Sequence, residues 1–258
     1  MRALRDGAEA RDLIAAHFQP GVRTNHFLAP AELDGEIARG RLWASEWAGG
    51  VAFYHQKTGY WRLTFYLNDP EAPFGGELPP GVVAAEIAHR PGADLADSGF
   101  WLRQGFSLEG RRVRMVRERA DPGRPPRWPV RRSTGADREA IAALLADRFH
   151  PYLGCIPEGE ELTGLVSSGG FFVAGEGAVE GLVSLREERG HGQMRHLAVR
   201  RDREGLGLGG ALVDAVSRAE ARKRTLLWTA EREENLRLYG RHGYRSDGWQ
   251  SDLLLYEP

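Results

Sequence analysis

The sequence predicts an α/β (α+β) protein built from two similar halves. Short β-rich runs, separated by glycine-containing turns, alternate with segments of helical periodicity, which is typical of a sheet flanked by helices. Near the middle of the chain, 119–129 is rich in proline and has no apolar periodicity, so it predicts a linker. The order of predicted elements before this linker repeats after it, which indicates a duplicated domain.

The first half begins with a short strand and two helices, continues with four strands, and ends with a helix and two strands about a Glu-Gly turn. These elements are predicted, in order, at Arg2–Leu4, Ala8–Phe18, Ala31–Arg39, Leu42–Trp47, Val51–His55, Tyr60–Leu67, Val82–Ile87, Ala93–Gln104 and within Phe106–Glu118. The intervening stretch Asn68–Gly81 contains four prolines and three glycines, so it cannot form a regular helix.

The second half repeats this order. Its first elements are predicted at Val130–Arg132, Ala136–Phe149, Glu158–Ser168, Phe171–Ala174, Val179–Arg186 and Gln193–Val199. Two short segments align between the halves: FWLRQGF at Phe100–Phe106 with LYGRHGY at Leu238–Tyr244, and GVAFYH at Gly50–His55 with GLVSLR at Gly181–Arg186. The same order of elements in both halves makes duplication a better explanation than chance similarity.

The most informative stretch follows the strand that ends at Val199. A charged turn, Arg200–Glu204, leads into four glycines within six positions, after which apolar residues recur at helical spacing. These glycines are Gly205, Gly207, Gly209 and Gly210. A strand, a glycine turn and a helix N-terminus together present backbone amides to a phosphate, and the helix dipole favours its negative charge. The stretch therefore predicts a phosphate site for a nucleotide or a coenzyme.

One interpretation of this stretch is a dinucleotide site. Gly205–Gly210 matches the pattern G-x-G-x-x-G, and Glu231 follows the next apolar run, Leu226–Ala230, where an acid could bind a ribose. Five charged residues separate the strand from the glycines, however, whereas dinucleotide glycines follow their strand almost at once. The pattern alone is therefore weak support for a dinucleotide.

A second interpretation accounts for more residues. Leu197, Ala198 and Val199, a five-residue turn, Gly-x-Gly-Leu-Gly and a helix resemble the coenzyme A pyrophosphate loop of the GNAT superfamily of acyltransferases. After a predicted strand at Thr225–Ala230, the segment from Asn235 through Tyr239 to Gly243-Tyr244 resembles the family's asparagine–tyrosine–glycine–aromatic segment. The resemblance is close over 130–258 and faint over 1–118. Glu204 departs from the family, whose loop usually has Arg or Gln at this place.

The resemblance implies two GNAT-like domains, each with a central mixed, mostly antiparallel sheet flanked by helices. Residues 1–118 would be a degenerate copy without the pyrophosphate loop, 119–129 a linker, and 130–258 the catalytic domain. The implied reaction transfers an acetyl group from acetyl-CoA to a primary amine of a small molecule or peptide, by direct attack in a ternary complex. A non-catalytic acyl-CoA-binding sensor or pseudoenzyme is the alternative.

The same resemblance implies roles for individual residues. The backbone of Leu197, Ala198 and Val199 would pair with the pantetheine arm, and Asn235 would contact that arm. Tyr239 would contact the coenzyme and protonate the departing sulfur. The pyrophosphate would be bound by the backbone amides of Glu204, Gly205, Leu206, Gly207, Leu208, Gly209 and Gly210.

The general base is less clear. Some family members carry Glu or His where this chain has Gln193, whose amide cannot accept a proton. His196 is the candidate base because histidine titrates in the right range. Alternation along a strand would place His196 and Gln193 on opposite faces unless a bulge intervenes.

Composition narrows the possible partners. A formal net charge of −1 argues against a nucleic-acid or membrane-surface binder. Cys155 is the only cysteine, which excludes an internal disulfide and a thiolate metal cluster, and we expect no metal site. The chain shows neither a signal-peptide core nor an apolar run of membrane-spanning length, so we expect a cytoplasmic protein. The excess of Arg over Lys, with abundant Ala and Gly, suggests a bacterial source, and a homodimer is a further expectation.

Overall fold

The computed structural model describes residues 1–26, 28–93, 95–118, 125, 127–175, 177–188, 190–221 and 223–258. Most of the predicted linker, 119–129, lies outside the described residues. The chain divides into two compact units. The first contains Met1–Arg111 and Gln250–Pro258, and the second contains Arg112–Trp249.

The chain forms strands and helices in a mixed order. The strands and helices are β1 (Arg2–Ala3), α1 (Gly7–His17), β2 (Arg23–Thr24), α2 (Pro30–Ala38), β3 (Leu42–Trp47), β4 (Gly50–Lys57), β5 (Tyr60–Leu67), β6 (Val83–His89), α3 (Ala96–Arg103), β7 (Ser107–Arg117), β8 (Val130–Arg132), α4 (Arg138–Arg148), α5 (Gly159–Ser167), β9 (Phe171–Ala174), β10 (Gly181–Glu188), β11 (His191–Val199), α6 (Leu208–Ala219), β12 (Thr225–Ala230), α7 (Glu233–Arg241) and β13 (Arg245–Tyr256).

The sheet of the first unit has the strand order β1-β3-β4-β5-β6-β13. Its pairs are antiparallel except β5 with β6, and the short β2 adds to β5. The sheet is covered on both faces. One face packs against α1 and α2 through residues such as Phe53 and Leu33, and the other packs against α3 through Trp101 and Phe65. Since β4 is covered on both faces, Gly50–His55 is buried without a break.

The second unit repeats this plan with the order β7-β12-β11-β10-β9-β8. All its pairs are antiparallel except β11 with β12. One face carries α6 and α7, whose Leu212 and Tyr239 enter the core, and the other carries α4 and α5. The predicted mixed, mostly antiparallel sheet flanked by helices is therefore confirmed.

Two strands contribute residues to both units. In β7, Arg112–Arg117 pairs with β12, while in β13, Gln250–Tyr256 pairs with β6. The last strand of each half thus joins the other unit, so the spatial division differs from the predicted linear division at 118 and 130.

The strand β7 runs without a break across Glu109-Gly110, where the sequence predicts a turn between two strands. Gly110 does not turn the chain because its neighbours continue the extended pairing.

Two further kinds of feature are absent from the part of the chain that the structure describes. None of its helices combines the length and apolar character needed to cross a bilayer. No three of its histidine, cysteine, aspartate or glutamate side chains lie together as metal ligands would.

Candidate functional site

The central parallel pair of the second unit separates part of the way along its length. Strands β11 and β12 pair at Gly192 with Thr225, Gln193 with Leu226, and Met194 with Leu227. Beyond Met194, β11 continues to Val199 alongside β10, and β12 continues to Ala230 alongside β7. This separation leaves the β12-facing backbone edge of Leu197–Val199 open to an extended ligand.

A β-bulge interrupts β11 at the start of this opening. The register with β10 shifts between the pair Ser184–Arg195 and the pair Leu182–Ala198. His196 has a φ of 46°, which is uncommon for a residue other than glycine. The bulge turns His196 onto the face that carries Ser184, which Gln193 shares through its pairing with Arg186. The bulge that the sequence analysis named as the exception is therefore present, and it places His196 and Gln193 on the same face of the sheet.

Both ring nitrogens of His196 are engaged. Nε2 lies 3.0 Å from the carbonyl oxygen of Gly154, which can only accept, so Nε2 carries the proton. Nδ1 lies 3.2 Å from the hydroxyl oxygen of Ser184 and accepts its proton. The ring also meets Phe149 edge to face at 5.2 Å. The one lone pair that a base would use is thus already a hydrogen-bond acceptor, and this arrangement favours a structural role. His196 as general base stays a prediction.

Burial, together with the nearby charge of Arg195, lowers the pKa of His196 to about 4. A histidine with such a pKa is neutral at pH 7, which agrees with its two hydrogen bonds. If it were the base, the acid limb of the rate profile would lie near pH 4 rather than near pH 6.5.

This pKa predicts a pH dependence of stability. The unfolded chain binds the His196 proton near pH 6.5 and the folded chain only near pH 4, so the stabilisation is complete above pH 6.5 and is lost as pH falls toward 4. The loss is about 3 kcal/mol for a shift of this size. We expect the free energy of unfolding of the wild type to exceed that of His196→Gln at pH 7.5, and the difference to shrink by pH 4. Urea unfolding at both pH values measures it, and a constant difference would contradict the assignment.

The glycine loop joins this strand to α6. Gly205 and Gly207 have φ values of 77° and 90°, in the left-handed region that favours glycine. Gly207 is the N-cap of α6, where no side chain caps the helix and no acid occupies the first turn. The first intrahelical bond runs from Ala211 N to Gly207 O at 3.1 Å, so the amides of Leu208, Gly209 and Gly210 lie before it. Such an uncapped N-terminus is suited to an anion.

Two further glycines of the loop lie in the first turn of α6, next to α7. A Cβ added at Gly209 would lie 3.8 Å from both Leu238 and Val199, and one at Gly210 would lie 3.4 Å from Nε2 of His242. His242 in turn holds Asp214 through Nδ1 at 2.7 Å. The Cβ distances are ordinary van der Waals contacts, so a methyl group would fit at either glycine position and the packing does not require glycine. Sequence analysis did not identify His242 as a functional residue. His242 and Asp214 are far apart in the sequence, so no local pattern predicts that they pair.

Glu204 is paired rather than free. Its carboxylate accepts a hydrogen bond from Arg148 at the end of α4. Arg203 lies 2.9 Å from the carboxylate of Glu180. Because it pairs with Glu180, Arg203 does not supply the positive charge that Glu204 fails to provide in the loop. The acid in the loop is thus neutralised by Arg148, which the sequence did not reveal.

The phenol of Tyr239 lies inside the core of the second unit. Its hydroxyl is hydrogen-bonded to Thr229, two residues beyond the last β12 residue that pairs with β11. Burial raises the pKa of Tyr239 well above its usual range, and Tyr244 adds to the shift. Asn235, on the same helix, is half-buried and donates to Ala230 O at 3.4 Å. The structure therefore places Tyr239 in the core beside Thr229, on the part of β12 that no longer pairs with β11, while Asn235 lies at the end of β12.

Gln193 is a polar group without a visible partner. Its side chain is 7% exposed, and its Oε1 has no hydrogen-bond partner among the described residues. Gln193 faces the side covered by α4 and α5.

A charged and aromatic cluster lies on the same face of the neighbouring strands. There Arg114 holds Asp247 through Nη2 at 2.7 Å and lies over the rings of Trp228 and Trp249. Sequence analysis missed this cluster because its members are spread over three strands.

The first unit closes the corresponding opening with its own residues. Its parallel pair β5–β6 also ends after three positions, at Leu63 with Ala85. There the amide nitrogen of Asn25 donates to Leu63 O and Glu86 O, both at 3.1 Å, and its Oδ1 accepts from Phe65 N at 2.9 Å. Asn25 thus joins the two strands where β11 and β12 stand apart.

Three other features of the second unit's candidate site have no counterpart among the described residues of the first unit. The strand β2 pairs with Tyr66 and Leu67 and covers the edge of β5. The β4–β5 register runs without a shift from Gly50 to Lys57, so there is no counterpart of the bulge at His196. In the alignment of FWLRQGF with LYGRHGY, Trp101 stands in place of Tyr239. The first unit therefore lacks the open edge, the bulge and the phenol.

Part of the chain matches a known protein family. Residues 167–246 match the acetyltransferase (GNAT) domain family model. No curated protein has a sequence that matches this chain.

Several solved structures have a similar fold. A GCN5-related N-acetyltransferase from Sphaerobacter thermophilus is 16% identical, with a TM-score of 0.58 over 99% of this chain and 94% of that one. A GNAT-family acetyltransferase from Colwellia psychrerythraea is 12% identical, with a TM-score of 0.56 over 99% and 98%. A tandem GNAT protein from the clavulanic acid biosynthesis pathway is 13% identical, with a TM-score of 0.58 over 97% and 94%. At these identities the likeness establishes the fold alone.

Proposed function

We propose that this protein transfers an acetyl group from acetyl-CoA to a primary amine of a small molecule or peptide, because residues 167–246 match the acetyltransferase (GNAT) domain family model. The observation that carries the proposal is the opening between β11 and β12, which leads directly to the uncapped N-terminus of α6. An extended thioester arm and a diphosphate need these two features side by side.

The residues present fit acetyl-CoA. The open edge at Leu197, Ala198 and Val199 can pair with the amides of the pantetheine arm. The diphosphate then meets the amides between Glu204 and Gly210, and the left-handed glycines at 205 and 207 let it approach the backbone closely. Asn235, half-buried near the start of α7, would contact the arm through its side-chain amide.

The proposed chemistry is direct attack. The nitrogen lone pair of the amine forms a C–N bond with the thioester carbon, the C–S bond breaks, and the thiolate takes the proton of Tyr239. The nitrogen gives up its extra proton to water, from which the phenolate is reprotonated. Tyr239 is the acid in this proposal, since its phenol lies beside Thr229, where β12 has separated from β11, and holds its proton at neutral pH. The ammonium proton must leave before attack, and Gln193 cannot take it. We propose that the amine reaches the site already deprotonated or loses its proton to water.

A second candidate function follows because neither Gln193 nor His196 is suited to act as the general base. Gln193 supplies no carboxylate, and His196 has both nitrogens engaged. A chain that binds acyl-CoA without turning it over would look the same. This sensor or pseudoenzyme differs from the enzyme only in the fate of the bound thioester.

Titration with acetyl-CoA by calorimetry, followed by an assay of released thiol with a panel of amines, separates these outcomes. We expect micromolar binding, one coenzyme per chain because Asn25 and β2 close the first unit, and thiol release with at least one amine. Binding without release for every amine would favour the sensor. Absence of binding, or tighter binding of NAD, would overturn the proposal. Two coenzymes per chain would contradict only the closed first unit.

The pairing of Glu204 predicts a gain in affinity. In Glu204→Gln the negative charge beside the loop disappears and Arg148 is released to attract phosphates. We expect the Kd of acetyl-CoA to fall by about 2- to 10-fold at low ionic strength, and the gain to shrink with added salt. Glu161→Gln, which breaks a similar exposed pair with Arg186, is the matched control and should change nothing. An unchanged or higher Kd for Glu204→Gln would show that the carboxylate helps to order the loop.

A further inference from the structure

An aromatic residue outside the family-matched segment holds the glycine loop. Trp128 precedes β8, and its indole packs partly buried against the core that α6 and α7 cover. Its Nε1 donates a hydrogen bond to the carbonyl oxygen of Leu206 at 3.0 Å. Leu206 stands between the two left-handed glycines, and its own side chain is 50% exposed. The indole is therefore the anchor of this part of the loop.

This hydrogen bond fixes one peptide plane. The described residues contain no cis peptide, so the Leu206 carbonyl and the Gly207 amide point in opposite directions across their shared bond. Since the carbonyl is directed to Trp128, the Gly207 N–H is directed away from the indole. A Cβ built on Gly207 would lie 3.9 Å from Nε1, which shows how closely the indole approaches this residue.

Without the anchor this peptide has little to hold it. Glycine on either side permits both signs of φ, so the plane between Leu206 and Gly207 can turn over at small cost. Among the described residues, no other side chain forms a hydrogen bond with the backbone of Gly205, Leu206 or Gly207. A turned peptide would present a carbonyl oxygen where an anion needs an N–H.

We propose that Trp128 is a positioning residue that keeps the Gly207 amide available to the diphosphate of the coenzyme. The inference rests on the proposed function, since it concerns how the same loop recognises acetyl-CoA. It assigns part of the coenzyme site to a residue before the family-matched segment, which begins at residue 167. Trp128 acts through the loop backbone and does not touch the reacting atoms.

The test uses Trp128→Phe, which keeps an aromatic ring and removes the N–H donor. We expect the Kd and KM for acetyl-CoA to rise about 3- to 10-fold, as the loss of one hydrogen bond predicts. The kcat and the KM for the amine should not change, because the loop lies away from the acetyl group. S-acetylpantetheine, which lacks the diphosphate, should react equally well with variant and wild type.

A matched control lies in the first unit. Trp61 Nε1 donates to Pro80 O, also at 3.0 Å, so Trp61→Phe removes the same kind of hydrogen bond from another loop. It should leave acetyl-CoA binding unchanged, and melting of all variants shows whether each is folded. Equal acetyl-CoA constants for Trp128→Phe and wild type would overturn the inference, and so would an equal loss with S-acetylpantetheine. Failure of the wild type to bind acetyl-CoA would instead overturn the proposed function.

Discussion

Replacing Tyr239 by Phe is expected to lower kcat by about 100-fold or more while leaving the Kd of acetyl-CoA nearly unchanged. The phenol is the acid proposed for the departing sulfur, and it lies beside Thr229 where β12 has separated from β11. Burial holds its pKa above the usual range, so the proton stays on the oxygen throughout the neutral range. Single-turnover measurements with saturating acetyl-CoA isolate this step.

Tyr244 offers a matched control for this substitution. It is equally buried, its ring centroid lies 6.0 Å from that of Tyr239, and its hydroxyl is hydrogen-bonded to Thr225 at 3.1 Å. Tyr244→Phe should lower stability by about 1 kcal/mol, the usual value of one hydrogen bond, and leave kcat unchanged. Equal losses of kcat in both variants would mean that the hydroxyls matter for packing and that Tyr239 is not the acid.

Replacing Gly207 by Val should abolish coenzyme binding, raising the Kd of acetyl-CoA by about 100-fold or more. A β-branched residue at a φ of 90° is strained, so the loop must change its backbone and the amides at the start of α6 lose their arrangement. Calorimetry with acetyl-CoA measures the loss directly. A Kd within a few-fold of the wild type would remove this loop from the coenzyme site.

The control for strain alone is Gly81→Val. Gly81 has a φ of 91°, nearly that of Gly207, and has open space around it in the first unit. Both variants should lose about 1–3 kcal/mol of stability from the strained backbone. Only the Gly207 variant should lose acetyl-CoA. Loss of binding in both would indicate general destabilisation instead.

The glycine loop was predictable because its signals are local. Four closely spaced glycines, a preceding apolar strand and a following amphipathic helix all lie within one continuous stretch, and the structure places α6 and β11 there. The segment containing Asn235 and Tyr239 was identified by its resemblance to the asparagine–tyrosine–glycine–aromatic segment of the GNAT family. The roles assigned to these residues in binding and catalysis stay predictions until the variants are measured.

Other features depend on contacts that the sequence does not encode locally. The bulge at His196 follows from how β11 fits β10 and Gly154, and no glycine marks it. Arg148 neutralises Glu204 from a different helix, and Asn25 bridges strands far along the chain from it. The sequence also did not reveal which strands pair with β7 and β13. Apolar and polar side chains alternate along a strand in the same way whichever neighbouring strand it pairs with.

The exchange of β7 and β13 has a consequence for the history of the chain. A gene encoding only 130–258 would produce a β12 without residues 112–117 on one side, and a terminal segment, 250–256, without β6. Unpaired edges of this kind invite aggregation. Once the two copies had traded their final strands, neither could be deleted without harming the other. We therefore expect deletion of either half to destabilise the half that remains.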